Sequence, residues 1–104
     1  MKVQIDHDDH IRSNAARGEE IEALVQSSLG RFGETVTSVQ VHLSDENGPR
    51  FGLEDKRCLM EARVARREPI VVSHRASSVR QAVSGAASKL ERSIDQAFAR
   101  RRSH

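Results

Sequence analysis

Residues 57–98 read RCLMEARVARREPIVVSHRASSVRQAVSGAASKLERSIDQAF, and the hydrophobic period changes twice within them. Cys58, Met60, Ala62 and Val64 alternate with Arg57, Glu61 and Arg63, the period of two that gives a strand one buried face. Arg66-Arg67-Glu68-Pro69 turns the chain, and Pro69 suits a strand start, where no ladder donor is required. Ile70 and Val72 then alternate with Val71 and Ser73, a second strand that must lie antiparallel to the first. From Ser77 the period lengthens. Val79, Ala82, Val83, Ala86, Leu90, Ile94, Ala97 and Phe98 recur at helical spacing over about five or six turns. Ser77 or Ser78 is the natural N-cap. Gly85 costs ~1 kcal/mol against Ala in a helix interior; with Ala82 and Ala86 it predicts a helix lying very close to a sheet.

Upstream the same signals repeat. Val3 and Ile5 alternate with Lys2, Gln4 and Asp6, a short strand. After a polar connection, Gly18 and Glu19-Glu20 open a helix, with acids at the positive end of its dipole. Ile21, Leu24, Val25, Leu29 and Phe32 form its apolar face, and Gly33 is the expected C-cap. Val39, Val41 and Leu43 alternate with Gln40 and His42 in another strand. Ser44–Asp55, with Asn47-Gly48-Pro49 and Gly52, reads as a loop. The order is β-α-β-β-β-α, an α+β domain over residues 1–104 with a basic tail from about residue 99. Two helices should pack on one face of a four-stranded sheet and leave the other face to water.

The charge is laid out unevenly. Residues 1–55 hold five Lys/Arg against eleven Asp/Glu, and residues 56–104 hold twelve against four, so balances of −6 and +8 lie beneath a net charge of +2. A half that basic suits a polyanion, and one face should dock while the acidic one stays in solvent. The apolar fraction of 37% is enough for one modest core, built from aliphatic side chains because aromatics are only 3%. The alternating start has no apolar run of the kind a secretory leader needs, and no stretch approaches the ~20 apolar residues of a membrane span. Cys58 is single, which fits a reducing compartment. A cytoplasmic, membrane-free location is expected.

Chemistry is poorly represented. Asp6-His7-Asp8-Asp9-His10 has ligand types, but its spacing matches no closed metal site, and Cys58 has no CxxC partner. His42 and His74 lack an evident carboxylate neighbour, and neither a phosphate loop nor a nucleophile elbow is present. No enzyme, metal or cofactor is expected. The basic set is the stronger candidate. Lys89, Arg92 and Arg100 share a broad sector of the last helix, and Arg80 lies nearer its start. Arg63 and Arg75 fall on strand positions pointing away from the helices, Arg66 and Arg67 lie in the turn, and Arg100-Arg101-Arg102 lie in the basic tail. The plain alternative is a solvated basic face. If five or six of these neutralise phosphates, log affinity should fall against log salt with a slope of roughly −4 to −5. The open sheet face carries Lys2, Gln4, Gln40, His42, Arg57, Arg63 and Ser73, without an aromatic on which a base could stack. Shape and phosphate recognition is therefore expected.

The stretch Ala82-Val83-Ser84-Gly85-Ala86-Ala87-Ser88-Lys89-Leu90 with Arg92 resembles the last-helix signature of the ribosome hibernation-promoting and ribosome-associated inhibitor family. Met1-Lys2-Val3-Gln4-Ile5 and Ile70-Val71-Val72-Ser73 match it in type and place, and the resemblance spans essentially the whole chain. Ser78 and Arg80 stand where that family often has an acidic residue and an aromatic. The resemblance implies a β-α-β-β-β-α fold of the short, single-domain type, monomeric when free. It also implies a non-enzymatic factor that binds small-subunit ribosomal RNA and silences translation in stress or stationary phase, with Lys89 and Arg92 on RNA phosphates. The alternatives are a free-standing binder of structured or double-stranded RNA, or a regulatory protein-interaction module.

Overall fold

In the computed structural model, which describes residues 1–7, 15–45 and 56–102 (backbone alone for 15–17 and 100–102), four strands form a single sheet. These are β1 (Lys2–His7), β2 (Val36–Asp45), β3 (Lys56–Val64) and β4 (Ile70–Ala76), ordered in space as in the chain. β3 and β4 pair antiparallel with Met60 opposite Val72, and β2 pairs antiparallel with β3, Val41 facing Met60. β1 runs parallel to β2, Lys2 beside Ser38 and His7 beside Leu43. A parallel neighbour needs a crossover, and α1 (Ala15–Leu29) supplies it.

Alternation sets the two faces as expected. Val39, Val41, Leu43, Cys58, Met60, Ala62 and Val64 are buried beneath α1 and α2 (Val79–Arg102). Ile21, Val25 and Leu29 of α1 and Val83, Leu90 and Ile94 of α2 complete the core. The opposite face carries Gln40, His42, Arg63, Val71 and Arg75, with Val71 55% exposed.

Local details depart from the sequence reading. α1 begins at Ala15, ahead of Gly18, and ends at Leu29, after which Gly30–Phe32 form a 3-10 turn. Gly33 closes that turn at φ −58°, donating its N–H to the Gly30 carbonyl at 3.0 Å, so no left-handed cap is present there. β2 continues to Asp45, where a loop from Ser44 was expected; Asp45 is buried and accepts from Lys56 Nζ at 3.2 Å across the sheet. The rest of that loop, 46–55, lies outside the described residues, as do 8–14.

Candidate nucleic-acid interface

α2 starts on a side-chain cap. Ser78 Oγ accepts from the Gln81 N–H at 3.2 Å, and the Ser78 carbonyl accepts the first helical bond from Ala82 N at 2.9 Å. From there α2 runs antiparallel to β4, and its outer side faces the free edge of that strand. Gly85 sits over His74, whose side chain points towards the helices; a Cβ at Gly85 would overlap the imidazole ring. The glycine thus makes room for a β4 side chain, where the sequence had suggested a close helix–sheet approach.

One turn further on, Lys89 Nζ donates to the Ser73 carbonyl at 2.9 Å, which holds the ammonium at the lip of a shallow groove. Val72, Ser73, Lys89, Arg92, Ser93 and Gln96 line it. Arg92 also lines a second depression with Ser88, Glu91 and Asp95. Among the described residues neither Lys89 nor Arg92 meets a carboxylate within ion-pair distance, so both charges are available to an external anion.

The other predicted cations are placed differently. Arg63 and Arg75 lie on the face turned away from the helices, as expected, and Arg75 stands opposite Arg57. Arg63 has no carboxylate partner among the described residues. Arg80 sits about half a turn around α2 from Lys89, over the cleft towards α1, where its Nη1 lies 3.4 Å from Glu20 Oε1. It is paired there, although still exposed, and does not line the groove. The backbone of Arg100–Arg102 continues α2 past Phe98, so these residues form the helix's last turn.

Charge separation also takes a different form from the one expected. Arg67 lies over the Phe98 ring at 4.7 Å, which brings the β3–β4 turn against the C-terminal end of α2. Arg63, Arg66, Arg67 and the last turn of α2 therefore gather at one end of the sheet. Glu20, Asp45 and Asp6 lie towards the other. Lys56, Arg57, Arg75 and Arg80 lie at that second end too, so its acids are offset by cations, whereas the turn end gathers its cations together.

Some functional groups escaped the sequence reading. His42 has a carboxylate neighbour after all: Asp6 Oδ2 lies 3.6 Å from its Nδ1, because parallel pairing sets the two side by side. Arg31 Nη2 donates to Asp95 at 2.6 Å and its Nε to Glu91 at 3.3 Å, bonds that raise the guanidinium pKa above its ordinary value. Cys58 is fully buried, and burial pushes its thiol up to about 12, which keeps it protonated and unreactive at neutral pH. Among the described residues no three His, Cys, Asp or Glu side chains gather to hold a metal ion; Asp8, Asp9 and His10 lie outside them. No described helix is long and apolar enough to cross a membrane.

Comparison with known proteins gives the fold a context. A ribosomal subunit interface protein from Coxiella burnetii superposes with a TM-score of 0.71 at 15% identity, over 95% of this chain and 99% of that one. The N-terminal domain of Thermus thermophilus Protein Y superposes with a TM-score of 0.66, also at 15% identity, over 92% and 98% of the two chains. At such identities the likeness shows the fold alone. No curated protein matches the sequence significantly. The model of the sigma 54 modulation protein / S30EA ribosomal protein family, however, matches residues 3–102, so this chain, from its first strand to the last turn of α2, belongs to that family.

Proposed function

We propose that this protein binds the small ribosomal subunit through its ribosomal RNA and silences translation in stress or stationary phase, by occupying space rather than by chemistry. Family membership over residues 3–102 is the observation that carries this reading. The surface agrees with it. Lys89 and Arg92 present unneutralised charge along the β4–α2 groove, Arg63 and Arg75 add charge on the open sheet, and Arg100–Arg102 extend it at the helix end. Phe32 and Phe98, the aromatics among the described residues, both lie on the helix side, so no described residue offers a stacking platform on the open sheet. Phosphates and groove shape are what such a surface recognises. Arg80, paired with Glu20 over the cleft towards α1, stands apart from the groove.

Co-sedimentation with small subunits on sucrose gradients tests the reading. The wild-type protein should comigrate at low salt, and the Lys89→Glu/Arg92→Glu double variant should stay at the top of the gradient with its circular dichroism unchanged. Comigration of the double variant would remove the groove from the interface. Wild-type protein that stays at the top at low salt would remove the ribosome.

A further inference from the structure

The β3–β4 turn has a backbone that its sequence does not favour. The Arg67 N–H bonds the Val64 carbonyl at 3.2 Å, so Val64–Arg67 forms a four-residue turn. Its third residue, Arg66, has φ 63°, the one non-glycine residue with positive φ among those described. Type II turns place Gly or Asn at that position, because a Cβ there is strained. Arg66 is exposed and makes no side-chain bond among the described residues, so no contact within the fold repays the strain. Strained backbone of this kind gathers at functional sites.

Its neighbour is held from below. Arg67 stacks on Phe98, Phe98 meets Phe32 at a centroid distance of 6.3 Å and an interplanar angle of 64°, and Arg31 covers Phe32 at 4.2 Å. Arg31 is itself tied to Asp95 and Glu91. Both described aromatics are thus engaged in a stack that fixes Arg67. Its charge rests on a ring and has no carboxylate partner among the described residues, and a stacked guanidinium can turn its N–H edge to fork across phosphate oxygens. The groove lined by Lys89, Arg92 and Gln96 follows β4 back towards this turn.

We propose that Arg66 and Arg67 form a second phosphate-binding site, gripping the ribosomal RNA backbone beyond the groove; this rests on the ribosome reading above. The strained Arg66 throws its side chain outward, and the aromatic stack presents Arg67 beside it. Small-subunit binding by Arg66→Gly and by Arg66→Gly/Arg67→Gln, across a salt series and beside thermal melts, tests it. The double variant should bind at least about tenfold more weakly near physiological salt, with a log–log salt slope shallower by about 1.5 to 2. Arg66→Gly alone should also bind more weakly, yet melt about 4 °C higher, because the backbone strain is released. Weaker binding with a higher melting temperature cannot come from unfolding. If the wild type binds, the groove variant fails and both turn variants bind with the wild-type slope, the turn site is wrong and the ribosome reading stands. If the wild type does not bind small subunits, both fall together.

Discussion

At Gly85 two energies of opposite sign meet. Alanine would gain ~1 kcal/mol of helix propensity, but its Cβ would overlap the His74 ring, and overpacking of this kind costs ~1–3 kcal/mol. Overlap should win, so Gly85→Ala should destabilise by about 1 kcal/mol. In a His74→Ala background the obstacle is gone, and the same change should stabilise by up to ~1 kcal/mol. Urea denaturation of the four proteins reads this sign reversal as a coupling energy; equal effects in both backgrounds would show that His74 swings aside at no cost. The role of the glycine was half legible. Its small size among Ala82 and Ala86 pointed to close packing, but the side chain that fills the space comes from β4, and a linear pattern does not reveal which residue faces which.

Among elements, the legible ones buried a strict alternation or a long stripe. β3, β4 and α2 announced themselves because Cys58–Val64 and Val79–Phe98 meet a core on one side and water on the other. Harder to see was where β1 would go. Its alternation states that one face is buried, but only the crossover through α1 decides that it lies parallel to β2, which in turn creates the Asp6–His42 pair. The candidate site was similarly divided. Lys89 and Arg92 were visible as cations off the apolar stripe, whereas the pairing of Arg80 with Glu20 depends on how α1 meets α2. Of the two serines expected to cap α2, Ser77 and Ser78, it is Ser78 that does so, and its worth can be measured. Ser78→Ala leaves the Gln81 N–H without its side-chain acceptor and should cost about 1 kcal/mol in urea denaturation. No loss would show that water replaces the cap at no penalty.

For the molecule as a whole, electrostatics should govern association. With about five phosphates engaged, log affinity for small subunits should fall with a slope near −4 against log salt. A slope shallower than about −2 would instead assign most of the binding to apolar protein contacts. Because positive charge collects at the end holding the β3–β4 turn, the protein should approach a polyanion end-first, with Glu20 and Asp45 trailing. The topology has another consequence, for how the chain comes to be folded. Among the described strands β1 has a single partner, and Lys2 to His7 pair with Ser38 to Leu43. During synthesis the opening strand must therefore leave the ribosome and wait, unzipped, until the whole of α1 and most of β2 have followed it. The hairpin of β3 and β4 needs only near neighbours to form. β1 thus locks only after α1 and β2 have followed it, and until then one edge of the sheet stands open inside the crowd around the machine the protein is proposed to silence.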